Sequence, residues 1–488
     1  MIAALLCVLI FLFLTWRFLS GRRTNLPPSP PCVPLIGNVG QFAPEDSIVA
    51  FRKFRQKYGD IFSLKIFHKT VIIVNGHDHI YNLLLKHGDV FSDRPAGILR
   101  DFFSKGKGVL GSSGSSWKEQ RTFSLNVLRK FGFGKRCLEN QIMDEVRGLL
   151  EVIEKFGGQA IDIEEPLTIS VANIICSIVF GKRFDYNDVK FKRLLFLLNE
   201  IFHVTTGSSF LVLFPTLRHV PFDIFKGQTV QRNLDEIQSF IREIIDNHRL
   251  CFDKNNINDF IDAFLLEQQN QEMEGNASFT DEQLVVTVQD FFSAGSETTV
   301  TTLRWAFLFL IHNPYIQTKL HKQIDEIIGE AIPQIEHREK LPYMEAFVLE
   351  VLRMGNIVPL GLAHCPNRDF EYGGYLFPKG VTVLPILDSA LQDPNIFNNP
   401  QKFQPERFLD GEGKCKGTQK DKMIPFSTGR RVCLGENLAR MELFLYLVAI
   451  LQKLEIQPVD TSDLPSLKGH LGITYMPKPY KVKFIRRY

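Results

Sequence analysis

The chain is predicted to be mainly helical with a small β sub-domain, and three observations lead there. Long segments carry apolar residues at helical spacing, β-branched runs are few and short, and 488 residues at 44% hydrophobic content can bury more than one ordinary core. The helical segments are 139–155, 164–180, 226–250, 281–312, 314–329, 342–354 and 435–454, with a further helix starting near Trp117. The strand signals are Ile61 to Leu64, Val71 to Val74 and Val381 to Leu384, each rich in β-branched or aromatic side chains. Gly, Pro and Asn cluster over 392–430, an irregular stretch that delivers the chain to Cys433. Gln268 to Asn276 reads as a polar loop between helices, and no internal repeat is present. The length favours one large domain with sub-domains, or two domains.

Charge and cysteine usage remove several functions. With 57 basic against 54 acidic residues the net charge is only +3, so nothing global attracts nucleic acid and any electrostatic partner site must be local. The eight cysteines, at positions 7, 32, 137, 176, 251, 365, 415 and 433, form no Cys-x-x-Cys pair of the kind structural zinc or redox sites use. A reactive cysteine must therefore be identified by its neighbours. The 42 phenylalanines suit an ordinary core first and a greasy pocket second.

The chain is expected to divide into a membrane anchor at 1–20, a basic and proline-rich hinge at 21–38, and the main domain at 39–488. Ile2 to Leu14 is unbroken apolar sequence, followed by Trp16 and the basic pair Arg22 and Arg23. Thirteen apolar residues fit a cleaved signal peptide by length. However, no basic region precedes the run and no small-x-small site follows it, which favours an uncleaved anchor. Positive charge downstream puts the rest of the chain on the cytoplasmic side, where the glycosylation triplet at Asn276 would go unused. Pro27, Pro28, Pro30, Pro31 and Pro34 then read as a stiff spacer.

Residues 425–440 are the most informative stretch. Cys433 is bracketed by Gly429 and Gly435 and followed at once by an apolar helix from about Leu434. A cysteine thiolate that binds iron needs backbone donors to soften its charge, glycines that admit a flat macrocycle, and a helix N-terminus that favours the anion. Phe426 would pack near the sulfur, and Arg431 is placed for a carboxylate of the macrocycle. Phe426-x-x-Gly429-x-Arg431-x-Cys433-x-Gly435 resembles the haem-binding loop of the cytochrome P-450 family, with five fixed positions in ten.

The resemblance implies further assignments along the chain. Glu350 and Arg353, at i and i+3, with Arg407 in Pro405-Glu406-Arg407-Phe408, resemble the family's Glu-Arg-Arg core, a structural element that holds the stretch carrying Cys433. Ala294-Gly295-Ser296-Glu297-Thr298-Thr299 resembles its oxygen-activating groove. Asp290, Ala294 and Thr298 share one helix face, and a hydroxyl at 298 can bond back to the carbonyl of Ala294 and bend the helix locally. Thr298 would then assist protonation of the activated oxygen, with Glu297 supplying protons. Trp117 and Arg121 at i and i+4, with Arg94 and His364, resemble the contacts to the haem propionates.

The family further implies a helix-rich triangular domain with haem b between the long central helix and the helix after the cysteine loop. The closest branch is the animal microsomal one that oxidises drugs, fatty acids and steroids, most visibly at Gly355 to Gly361 and Arg430 to Arg440. Ser29 and Gln392 depart from that branch's usual glycine and histidine. Substrate contacts would come from Ile98, Leu99, Phe102, Phe103, Phe202, Ala294, Val358, Leu360, Leu362 and Ile473, mostly apolar side chains that suit a lipophilic molecule.

The implied activity is insertion of one oxygen atom from O2, with electrons from NADPH through a flavoprotein reductase and cytochrome b5 as a further partner. Lys118, Arg129, Lys130 and Lys135 would form a basic face for that reductase, or simply a solvated one. The implied location is the endoplasmic reticulum membrane, with the catalytic domain facing the cytoplasm. Two other functions share a haem-thiolate centre. One is rearrangement or dehydration of a lipid peroxide, against which the intact Glu297-Thr298 pair counts; the other is a non-enzymatic haem carrier or sensor.

Overall fold

The computed structural model describes residues 8, 10–13, 25–41, 46–132, 136–207, 218–273 and 278–487. The expected anchor falls almost wholly outside them, as do Arg22, Arg23, Lys135 and Asn276. Among the described residues no helix is long and apolar enough to cross a membrane. The chain divides into two compact units, one holding 1–95, 358–393 and 426–432 and the other 96–357, 394–425 and 433–488.

The smaller unit is organised on a three-stranded sheet. It contains α1 (Ser47–Tyr58), β1 (Ile61–Ile66), β2 (Lys69–Val74) and α2 (His77–Tyr81). Sheet order is β1-β2-β5, where β5 is Thr382–Pro385; β1 and β2 pair antiparallel, and β2 and β5 pair parallel. The central strand must be apolar on both sides, and Val71, Ile72, Ile73 and Val74 are all buried. A second hairpin pairs β3 (Phe370–Tyr372) with β4 (Tyr375–Phe377). Arg52 on α1 grips Asp388 with two 2.8 Å bonds, fixing the short helix Leu387–Leu391 that follows β5.

The proline stretch is fastened to this unit and does not hang from it. Ser63 on β1 donates from its backbone N–H to Pro28 and from its hydroxyl to Pro27, both at 2.8 Å. Phe67 N–H donates to the carbonyl of Ile36 at 3.1 Å, and Asn38 N–H to that of Lys65 at 2.6 Å. Gly37 has φ +77°, and a Cβ there would collide with the Lys65 carbonyl. The stiffness expected from proline is therefore reinforced by pairing with β1.

The larger unit is a stack of helices. Its members are α3 (Gly114–Lys130), α4 (Arg136–Glu154), α5 (Glu164–Val179), α6 (Val189–Gly207), α7 (Gly227–Leu250), α8 (Phe260–Met273), α9 (Asp281–His312), α10 (Pro314–Ile327), α11 (Pro342–Gly355) and α12 (Glu436–Lys453). The helices expected at 139–155, 164–180, 226–250, 281–312, 314–329, 342–354 and 435–454 are present to within a few residues at each end. Helices α1, α2, α6 and α8 and the wide π-type turns Asn82–Lys86 and Ile98–Phe103 lie outside the segments predicted as helical, and α8 takes in Gln268 to Met273, expected as part of a loop. Two antiparallel pairs complete this unit, β6 (Leu454–Pro458) with β9 (Val482–Arg486) and β7 (Gly469–Leu471) with β8 (Tyr475–Pro477).

The helix α9 forms the axis of the larger unit. Its 32 residues span about 48 Å, and the Thr280 hydroxyl caps it by accepting from Gln283 N–H. It is buried along most of its length, polar side chains such as Gln289, Asp290, Thr299 and Arg304 included. It packs along α5, where Gly295 lets Ile175 come close.

The irregular stretch before Cys433 is held by one carboxylate. Glu350 on α11 receives both Arg353 Nε and Nη2, at 2.8 and 2.9 Å, Arg407 Nε at 3.1 Å, and Gln404 N–H at 2.8 Å. Arg407 also donates to the carbonyls of Asn398 at 2.7 Å and Lys402 at 3.0 Å. The Glu350 and Arg353 side chains are both 0% exposed. Removing one charge from such a group strands the others without solvent. Glu350→Gln is expected to lower the unfolding free energy by about 3 to 5 kcal/mol, measured by urea denaturation.

Candidate active site around Cys433

In the larger unit, α3 and the start of α12 bring two expected residues together. Trp117 is buried and Arg121 half-buried. Burial depresses the Arg121 pKa, and the charge of Cys433 pushes it back up, so guanidinium and sulfur lie within each other's field. Gly435 caps α12, and the backbone N–H groups of Gly435 and Glu436 point at the sulfur. Cys433 keeps an exposed face. Enough protein nevertheless crowds its sulfur that desolvation raises the thiol pKa, against the pull of Gly435, Arg121 and Glu436 N–H.

The helix N-terminus expected to favour the anion is thus present but outweighed by burial. A cation at the sulfur would supply what the protein does not, because coordination deprotonates a thiol outright. An exposed cysteine with two N–H donors aimed at it is a donor set that fits an iron ligand. The bracketing glycines answer to different constraints. Gly429 has φ +80° and a Cβ there would collide with the Leu84 carbonyl of its own unit, whereas a Cβ on Gly435 would meet only the sulfur, at 4.0 Å. The need for glycine at 429 therefore comes from the wide turn Asn82–Lys86, a reason the motif alone does not give.

The smaller unit brings three basic residues together. Arg94 Nη1 donates to the Ala363 carbonyl at 2.6 Å, Arg431 Nε to that of Ser92 at 2.7 Å, and His364 Nδ1 to that of Phe91 at 2.7 Å. Each side chain is thereby aimed by backbone. Burial, then the charges of Arg94 and Arg431, hold the His364 pKa well below its usual value. The imidazole is neutral, so Nε2 donates to a carboxylate only after the ring takes a second proton. Phe426, in the same unit, is half-buried.

On α9 the Thr298 hydroxyl donates to the Ala294 carbonyl at 2.8 Å, the bond that the spacing predicts. The helix stays α-helical throughout. Beside it, Thr301 donates to Glu297 at 2.9 Å. Burial, helped by the charge of Glu164 and opposed by Thr301 and Arg304, pushes the Glu297 carboxyl up to about 7. A carboxyl that titrates near neutrality can both give and take a proton.

Two acids escaped the sequence reading. Asp290, noted only as a face-mate of Thr298, accepts from Val109 and Leu110 N–H at 2.8 and 2.9 Å and so ties the loop before α3 to α9. Glu442 on α12 is buried and accepts from the Thr299 hydroxyl at 2.8 Å, with its carboxyl pushed up to about 8 by burial. A glutamate inside the run Met-Glu-Leu-Phe-Leu-Tyr-Leu-Val was the available signal.

The expected substrate contacts divide by exposure. Phe103, Val358, Leu360, Leu362 and Ile473 keep part of their surface open, whereas Ile98, Phe102 and Phe202 are buried. Phe102 has its ring against Phe103 and the Arg218 guanidinium. Lys118, Arg129 and Lys130 are exposed on α3. The cluster His248, Asp259 and Asp262 is explained without an ion, since Asp259 caps α8 through Asp262 N–H at 2.9 Å and pairs with His248 at 2.8 Å.

Residues 27–484 match the family model described as cytochrome P450. Curated relatives include cytochrome P450 2B4 of Oryctolagus cuniculus, 37% identical over 99% of each chain. Cytochrome P450 2H1 of Gallus gallus is 38% identical over 100% of this chain and 98% of its own. Cytochrome P450 2C8 of Homo sapiens is 38% identical over 99% of each.

The raised carboxyl of Glu442 makes stability depend on pH. Its folded-state pKa exceeds the ordinary 4.5, so its contribution is complete below that value and is lost as pH rises through about 8. Glu442→Gln keeps an acceptor for Thr299 but carries no titrating proton. It should flatten the fall in unfolding free energy across that window, as measured by urea denaturation at stepped pH.

Proposed function

We propose that this chain, which belongs to the cytochrome P450 family, oxidises lipophilic molecules such as fatty acids, steroids or xenobiotics, with electrons passed from NADPH by a flavoprotein reductase. It is a haem-dependent monooxygenase whose cofactor is haem b with a cysteine thiolate ligand. Bound haem supplies the electron-transfer chemistry that cleaves O2 and delivers one of its atoms to the substrate. Cys433 is our ligand, its anionic charge softened by the N–H groups of Gly435 and Glu436. Trp117, Arg121, Arg94, Arg431 and His364 are our propionate contacts.

The observation that carries the reading is the back-bonded hydroxyl of Thr298 on α9, next in sequence to Glu297, whose carboxyl burial pushes up to about 7. Thr298 presents its oxygen at a fixed point, because the Ala294 carbonyl takes its hydrogen bond. Glu297 holds a proton that can be donated and replaced at neutral pH. A lipid-peroxide isomerase has no use for that pair, and a carrier or sensor has none either. Half-exposed apolar side chains at Val358, Leu360, Leu362 and Ile473 favour a greasy substrate with few polar anchors.

The exposed lysines and arginine of α3 favour an acidic redox partner, the reductase or cytochrome b5. The apolar N-terminal run supports attachment to the endoplasmic reticulum membrane with the catalytic domain in the cytoplasm.

The test is optical and catalytic. The reduced protein with carbon monoxide should show the long-wavelength Soret band of thiolate ligation, and Cys433→Ser should abolish it. Thr298→Ala should cut product formation by up to roughly 10²-fold while NADPH consumption continues and peroxide appears. An unchanged product-to-NADPH ratio in Thr298→Ala would exclude the proton-delivery role, whereas product formed from a lipid peroxide without NADPH or O2, and equally by Thr298→Ala, would favour the isomerase.

A further inference from the structure

The buried guanidinium of Arg304 has two carboxylates in its surroundings, and only one of them holds it. Arg304 lies on α9 seven residues after Glu297, two helical turns along, with Thr301 between them donating to Glu297. Its Nη1 pairs with Glu164 Oε2 at 2.8 Å, with the side chains 3% and 23% exposed.

Glu164 is braced to keep that partner. It opens α5, where the helix N-terminus favours an anion. Its N–H donates to Asp162 at 3.0 Å, its carbonyl accepts from the Thr168 hydroxyl at 2.7 Å, and its Oε1 accepts from Asn199 on α6 at 3.3 Å. Tyr480 closes the opposite side, with its hydroxyl on the Arg304 carbonyl at 2.6 Å and its ring 6.0 Å from the guanidinium. The charged or titratable groups around the pair are thus Asp162, Tyr480 and Glu297. Those that bear on Glu297 are Glu164 from α5 and Arg304 from its own helix.

A buried cation needs a carboxylate, and the carboxylate it takes stays ionised. We propose that Glu164 holds Arg304 away from Glu297 and so leaves Glu297 able to carry a proton. Glu164 is then a positioning residue that acts through Arg304, in addition to the direct effect of its own charge on Glu297. The inference rests on the reading of Glu297 as proton donor. Without Glu164 the long arginine side chain turns to the remaining carboxylate, and Glu297 becomes a fixed anion. Nothing in the sequence motif around Thr298 points to position 164, which lies on another helix.

The experiment uses full-length holoprotein and two readouts. The first is the pH titration of the infrared band of the protonated Glu297 carboxyl, assigned by its loss in Glu297→Gln. The second is the pH profile of the ratio of product to peroxide with a turned-over lipophilic probe.

Glu164→Gln should move both midpoints down by about one pH unit or more. Glu164→Asp, which keeps the charge, should leave them close to the parent. The double variant Glu164→Gln/Arg304→Met should bring the midpoints back up, because the competing cation is gone. If Glu164→Gln leaves the infrared midpoint in place, or the double variant stays low, the proposal is overturned. Should Glu164→Gln fail to fold, Glu164→Ala takes its place, and the drop it causes must be larger with Arg304 present than in the Arg304→Met background, or the proposal is overturned. An unchanged product-to-peroxide ratio in Glu297→Gln would instead overturn the role of Glu297, while the infrared midpoints still judge the Glu164–Arg304 pairing.

Discussion

One fully buried carboxylate determines whether the chain reaches Cys433 in order. Glu350 gathers two guanidiniums and a backbone N–H, and through Arg407 it fixes carbonyls of a stretch that has almost no regular structure of its own. Irregular chain cannot satisfy its polar groups by helix or sheet ladders, so an internal charge must organise it. Such groups are costly to bury and costly to break, which makes this stretch rigid although it lacks secondary structure.

The second constraint is the burial of α9. A helix buried along most of its length leaves its hydroxyls and acids little solvent, so most must find a partner inside the protein. Ser296, Thr298 and Thr302 bond back to carbonyls one turn earlier, and Thr299 and Thr301 bond to carboxylates. The acids then keep their protons to unusually high pH, as Glu297 and Glu442 do. The raised carboxyl of Glu297 follows from the same burial that holds the unit together.

Much of this was legible in the sequence because it is local. Helices at 3.6-residue spacing, the cysteine loop and the back-bond from Thr298 to Ala294 need no knowledge of distant contacts. What escaped is long-range. The partner of Glu442 is Thr299, 143 residues away, and Asp290 meets a loop about 180 residues earlier. The requirement for glycine at 429 comes from the Leu84 carbonyl, and the lowered pKa of His364 from burial, reinforced by Arg94 and Arg431, which are distant in sequence. The proline stretch looked like a spacer because its partners on β1 are invisible to periodicity. Phe102 and Phe202 are buried, and in sequence an apolar side chain reads the same whether it meets a substrate or the core.

The parallel pairing of β2 with β5 also bears on how the molecule is made. Val71 to Val74 wait for Thr382 to Pro385, about three hundred residues later in the chain. Until that length has been synthesised, one edge of an apolar strand has no partner, and closing so large a loop is slow. The N-terminal unit therefore completes its sheet only after the helical unit has largely emerged. During that interval the exposed edge of β2 is the segment most in need of shielding by chaperones against aggregation.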